Sequence, residues 1–197
     1  MRTGKKLILE NLWKYLLVAV ASIFIWSAVF EALDQVKDNQ RVTVATYNLN
    51  CNTQALKDEL LLMLPGLTQQ EIMELYVDDL EHTPNQTYAT DILTAQILQS
   101  DLIVMPKSLL DKLNMLLFFP ELPENLRDEN CYEVNGVSYG ILISHESRFA
   151  AHCVSEEPYY LLLSSQSVNL GGLLGRGEAK DNAALKIMEY LLEEDRQ

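Results

Sequence analysis

The apolar positions of this chain change their spacing repeatedly, and each change of period marks an element. VTVATYNLN (Val42–Asn50) is β-branched and aromatic with partial alternation, the pattern of a strand. NTQALKDELLLMLPG then puts Leu56, Leu60, Leu61 and Leu64 on one helical face, with Pro65-Gly66 as the expected stop. EIMELYVDD is ambiguous: Thr68 with Glu71 imitates a capping box, while Ile72–Val77 alternates, and the alternation favours a strand. YATDILTAQILQS offers Ile92, Leu93, Ile97 and Leu98 as a helical face, and DLIVMP is the short continuous apolar run of a strand buried on both sides. The order β-α-β-α-β over residues 42–105 predicts an α/β domain. Its expected form is a three-layer, mostly parallel sheet with right-handed crossovers and flanking helices.

Beyond Leu113 the pattern loosens. NMLLFFPELPENLRDEN is apolar and then Pro-rich and charged, a connecting segment with a short helix. CYEVNGVSYGILIS carries the hairpin signal Asn135-Gly136, and YYLLLSSQSV reads as another strand. The loop GGLLGRGE lacks the Lys-Ser/Thr ending of a phosphate loop and reads as a connector. It leads into DNAALKIMEYLLEE, where Asp181 suits an N-cap and Ala184, Leu185, Met188, Leu191 and Leu192 form the expected buried stripe.

The N-terminal stretch reads differently. YLLVAVASIFIWSAVF (Tyr15–Phe30) has no charge and no polar stripe, and Arg2, Lys5, Lys6 and Lys14 precede it. This predicts a cytoplasmic basic N-terminus over 1–11, a transmembrane anchor over 12–33, a stalk over 34–40 and an extracytoplasmic α/β domain over 41–197. The expected location is therefore the cell membrane, single-pass, with the N-terminus cytoplasmic. A cleaved signal peptide is the alternative, but Ala19-Val20-Ala21 lies in mid-run and Trp26 and Phe30 fill the place of a cleavage site.

Charge narrows the partners. Fifteen Lys and Arg face twenty-eight Asp and Glu, a formal −13, and residues 34–197 hold eleven of those cations and twenty-six of the acids. No nucleic-acid surface is expected, since phosphate binding needs clustered cations. Three cysteines are too few for a disulfide scaffold; Cys131 and Cys153 flank one strand-like stretch and can pair in an oxidising compartment, and three free thiols are the other reading. His82, His145 and His152 lack the tight ligand spacings of a zinc site, so neither metal nor cofactor is expected. Asn85-Gln86-Thr87 fits a glycosylation acceptor, and the pairs Asp78-Asp79 and Glu156-Glu157 read as solvated charge.

Taken together, VTVATYN, SDLIVMPKSLL, NGVSYGILI, YYLLLSSQSVN and the final AALKIMEYLL resemble the type 2 periplasmic-binding-protein-like fold of bacterial extracellular solute-binding proteins, over about residues 41–194. The resemblance implies a ligand between two lobes, yet only about fifty residues separate DLIVMP from YYLLLSS, too few for a second lobe with its own core. In an open parallel sheet the ligand edge is the carboxyl end of the strands, which gathers Tyr47, Asn48, Asn50 and Asn52 with Lys107 and Ser108 as candidate ligand-binding residues. Capping is the competing role for Asn52 or Thr53, and for Ser108. No serine elbow and no Cys-His setting supports an enzyme. The expected function is a non-catalytic accessory or docking module of the cell envelope, with a membrane protein or transporter as partner. The alternative is a genuine receptor for a small-molecule solute, its cleft completed by residues 114–157 or by a second chain. An envelope hydrolase is a further alternative.

Overall fold

The computed structural model describes residues 13–27, 29, 36–69, 71–80, 89–154, 157–170 and 182–194. It divides into two units, Met1–Val36 and Lys37–Gln197. In the first, residues 13–27 form helix α1. Among the described residues no helix is long and apolar enough to cross a membrane. The expected anchor over 12–33, and the single-pass cell-membrane location that depended on it, are therefore corrected. Residues 12, 28 and 30–33 lie outside the described residues, as do the Asn85-Gln86-Thr87 sequon, the GGLLGRGE loop and Asp181.

The second unit is built on a six-stranded sheet in the order β3-β1-β4-β8-β6-β5. Its strands are β1 (Arg41–Tyr47), β3 (Glu74–Leu80), β4 (Leu102–Pro106), β5 (Cys131–Val134), β6 (Val137–Leu142) and β8 (Tyr159–Leu163). A separate two-residue ladder joins β2 (Asn50–Cys51) to β7 (Cys153–Val154). β1 pairs in parallel with β3 and β4, whereas β4–β8, β6–β8 and β5–β6 are antiparallel. The sheet is thus mixed, which corrects the expected mostly parallel one. The reason is geometric: the link from Leu142 to Tyr159 leaves and re-enters the sheet at the same edge, so β8 must run back against β6 and β4.

Helices cover both faces. On one lie α2 (Thr53–Leu67), α6 (Arg148–His152) and α7 (Ala183–Leu192), packing Leu56, Leu60, Phe149 and Ile187 against Val42, Val44, Leu102 and Leu161. On the other lie α3 (Ala89–Gln99), α4 (Lys107–Leu110) and α5 (Met115–Phe118), packing Leu93, Ile97, Leu110 and Met115 against Ala45, Tyr47, Ile103 and Leu162. The alternation along β1, β4 and β8 sorts their side chains between these two cores.

Several local expectations change. α2 continues through Pro65 to Leu67, because Thr68 N–H donates to the Leu64 carbonyl and closes one more turn. Leu61 on that helix is 41% exposed and Leu98 on α3 is 40% exposed, so the buried stripes are Leu56/Leu60/Leu64 and Leu93/Ile97. On α7 the buried side chains centre on Ala184, Ile187, Met188 and Leu191, with Leu185 and Leu192 at the margin. The hairpin turn is as expected: Asn135 (φ 55°) and Gly136 (φ 80°) both occupy the left-handed region that a two-residue turn requires.

One irregularity in that hairpin decides where the cavity described below opens. β5 and β6 pair Tyr132 with Gly140 and Glu133 with Ser138, leaving Tyr139 as an extra residue. The bulge reverses the alternation, so Tyr139 enters the core beneath α3–α5 while Ile141 and Ile143 face the side of α2, α6 and α7. Gly140 permits the close approach that follows, since a Cβ there would lie 2.9 Å from Leu162 Cγ.

Two fastenings hold the unit. Cys51 and Cys153 face each other across the β2–β7 ladder and form a disulfide, leaving Cys131 as the free thiol. The Cys131–Cys153 pairing considered from sequence is corrected, because ladder register selects Cys51. At the amino edge of β4, the buried Asp101 carboxylate accepts from Thr43 N–H (2.9 Å), Asn169 Nδ2 (3.1 Å) and Ser167 Oγ. Burial pushes this carboxyl above its ordinary value, and these hydrogen bonds only partly pull it back.

Candidate functional site

The six residues singled out from sequence do not converge on one site. Tyr47 is fully buried in the core under α3–α5, its hydroxyl has no partner among the described residues, and burial pushes its phenol well above the usual range. Asn48 stands in the left-handed region (φ 54°), and its carbonyl accepts from Tyr159 Oη at 2.6 Å. Asn50 is exposed on β2 opposite Val154. Asn52 caps α2, its side-chain oxygen accepting from Ala55 N–H at 3.2 Å. Lys107 opens α4 with its N–H on the Pro158 carbonyl (3.2 Å), and Pro106 takes the cap position. Ser108 is therefore inside the helix rather than capping it, and its hydroxyl donates to Glu157 Oε2 at 3.3 Å.

A cavity of about 700 Å³ opens beside them, on the face of α2, α6 and α7. The register puts Tyr159 beside Pro106 and Leu142 beside Tyr160, so this is the carboxyl edge of β1 and β4, the edge where open α/β sheets bind ligands. Only Leu49 reaches it from the β1–β2 corner. Its floor is apolar, made of Leu126, Ile141, Phe149, Tyr159 and Leu192. Its rim is polar, with Asn125, Arg127, Asp128, Asn130, His145 and Glu157. That combination, an apolar interior with a few polar groups at the opening, suits a small organic molecule. The pair Glu156-Glu157 read from sequence as bulk charge thus supplies one cavity-lining carboxylate, while Asp79 is tied to Thr46 Oγ1 at 2.7 Å.

The wall formed by α6 is held from behind. Glu59 on α2 meets His152 Nε2 at 2.5 Å and accepts from Tyr190 Oη at 2.7 Å. Arg148 donates to the same Tyr190 oxygen at 2.9 Å, lies 4.4 Å from its ring centroid and pairs with Glu193 at 3.4 Å. Ser147 caps α6 onto Ala150 N–H, and the disulfide follows directly at Cys153. Burial pushes the Glu59 carboxyl up, but the bonds from Tyr190 and His152 and the nearby charges of His152 and Arg148 outweigh it, leaving it below its ordinary value. A carboxyl lowered in the folded chain stabilises fully above its unfolded value, about 4.3, and loses that contribution as pH falls through the folded value. Glu59→Gln should therefore lower stability by about 1–2 kcal/mol at pH 7. Melting curves should show the difference from wild type closing below about pH 4; a constant difference down to pH 2 would contradict this role for the carboxylate.

Sequence reasoning missed the cavity residues because they come from short separate segments. The hairpin signal at Asn135-Gly136 was the one hint, since it fixes how β6 delivers Ile141 and Ile143. Among the described residues no group of three or more His, Cys, Asp or Glu side chains is placed to hold a metal ion. No family model, curated protein or solved structure matches the chain.

Proposed function

We propose that this chain is a non-catalytic binding module that holds a small molecule with an apolar body in the cavity at the carboxyl edge of its sheet. The observation that carries the reading is the position of the cavity's walls. Residues 125–130, 141–145 and 157–159 rise around the edge where a parallel sheet binds ligands, and α6 closes the side. This favours the receptor alternative, in which the short middle segment completes the cleft. The likeness to solute-binding proteins stays part of the proposal, and a place in transport has that likeness alone behind it. A docking module has less in its favour: exposed apolar side chains fall on separate elements, Leu116 (76%) and Leu117 (62%) in the single turn of α5, Leu62 (78%) on α2 and Val154 (73%) on β7.

The test is a thermal-shift screen of the purified full chain against amino acids, short peptides, sugars, anions and aromatic amines. A specific ligand at 100 times its Kd stabilises by about 2.7 kcal/mol, a rise of roughly 5–11 °C for a chain of this size. Ala150→Trp, which fills the cavity from the α6 wall, should abolish that rise, whereas Asn50→Ala, outside the cavity, should preserve it. A screen in which no compound shifts the transition would overturn the reading. So would a shift that survives Ala150→Trp.

A further inference from the structure

The charges around this cavity specify the ligand more closely, on the premise that the cavity binds one. Among the described residues its lining contains three formally charged side chains, Arg127, Asp128 and Glu157. The Arg127 guanidinium is already engaged: Nη2 meets Glu121 at 2.8 Å and Nε donates to the Leu122 carbonyl at 2.8 Å. Its charge is offset outside the cavity, and two of its donors point away from any guest. Asp128 differs. Its carboxylate accepts only from uncharged groups, Asn130 N–H at 2.8 Å and the Cys131 thiol at 3.5 Å, and among the described residues no cation pairs with it. Glu157 adds a second carboxylate to the lining, with the Ser108 hydroxyl on one oxygen.

Asp128 stands exposed at the rim, so it attracts a cation as a solvent-screened charge, and the excess of acids over cations in residues 34–197 adds to it at longer range. An anionic guest entering here loses hydration without gaining a free cation. A cationic guest gains Asp128.

We infer that the site selects a protonated amine on an apolar skeleton, with the ammonium group at Asp128 and the hydrocarbon over Ile141 and Phe149. The experiment compares three probes with one skeleton and different charge: 2-phenylethylamine, 2-phenylethanol and 3-phenylpropanoate. Their binding to the purified full chain at pH 7 is measured by equilibrium dialysis. The amine should bind about threefold tighter than the alcohol, the scale of attraction to a solvent-exposed carboxylate, and the carboxylate more weakly than either. In 1 M salt, where screening acts within about 3 Å, the amine should approach the alcohol. Asp128→Asn should bring the amine's affinity down to that of the alcohol. Alcohol or carboxylate binding as tight as the amine would overturn the charge selection and leave the pocket reading standing. Failure of all three probes to bind would overturn both together. A preference that persists in Asp128→Asn would overturn the assignment to that carboxylate.

Discussion

Cutting the Cys51–Cys153 cross-link should cost this domain about 4 kcal/mol, the largest single loss expected for it. The two cysteines are 102 positions apart, so the bond closes a loop that takes in β3, α3, β4 and the β5–β6 hairpin. In the chain-entropy account a loop of that size restricts the unfolded ensemble by about 4.7 kcal/mol, and measured losses run to about 2–5 kcal/mol. The ladder that carries the bond has only two residue pairs, Asn50 with Val154 and Cys51 with Cys153. Beside the disulfide, that corner is held by Asn52 N–H on the His152 carbonyl at 2.9 Å, Cys51 N–H on Asp79 at 3.4 Å and the Glu59–His152 contact. The double substitution Cys51→Ala/Cys153→Ala should therefore lower the melting temperature by roughly 8–16 °C, and a thiol reductant should do the same to the wild type. Thiol titration of the unreduced, denatured chain should count one free group, Cys131. Three reactive thiols, or a melting temperature indifferent to reductant, would contradict the cross-link.

Asp101→Ala should cost about 3 kcal/mol, because it removes the acceptor that three buried donors share. Thr43 N–H, Ser167 Oγ and Asn169 Nδ2 all end on this carboxylate. Asn169 in turn donates to the Arg41 carbonyl at 2.6 Å, and the Asp101 backbone joins Thr43 and Ser164 at 2.9 and 3.0 Å. The side chain thus ties β1, β4 and the turn after β8 at the amino edge of the sheet. Asparagine is not a neutral replacement, since its amide nitrogen would meet a donor where an acceptor stood. Denaturant unfolding should place Asp101→Asn between wild type and Asp101→Ala. Ligand affinity should be unchanged in any folded variant at this position, because the cavity lies at the opposite edge. A stability loss below about 1 kcal/mol for alanine would show that the network is dispensable.

How far the sequence revealed this architecture follows from where the information lies. β1, α2, β3, α3 and β4 are visible because each buries one face or both, so apolar spacing reports it directly. Asn135-Gly136 reveals its turn because few residues tolerate two successive positive φ angles. Strand direction is another matter. YYLLL has the same apolar composition in either orientation, and the antiparallel run of β8 is imposed by a link that returns to the same edge. The disulfide partner depends on the register of two-residue strands, too short to have a period. The cavity is hidden for a related reason: the face that Ile141 and Ile143 present is set by the extra residue Tyr139, and the bulge carries no apolar signal of its own. Of the residues expected to form a crevice, Tyr47, Asn48, Asn50, Asn52, Lys107 and Ser108, Tyr47 points into the opposite core and Asn52 is spent on capping α2.

The most direct test is a methyl NMR titration of the isoleucine-labelled full chain with whichever compound gives the largest thermal shift. Ile141 and Ile143 both line the cavity, whereas Ile97 and Ile103 lie in the core on the other face of the sheet. Saturable shifts are expected at Ile141 and Ile143 with one shared dissociation constant, and still signals at Ile97 and Ile103. Shifts confined to Ile97 and Ile103, or a compound that stabilises the chain without moving Ile141 or Ile143, would contradict it.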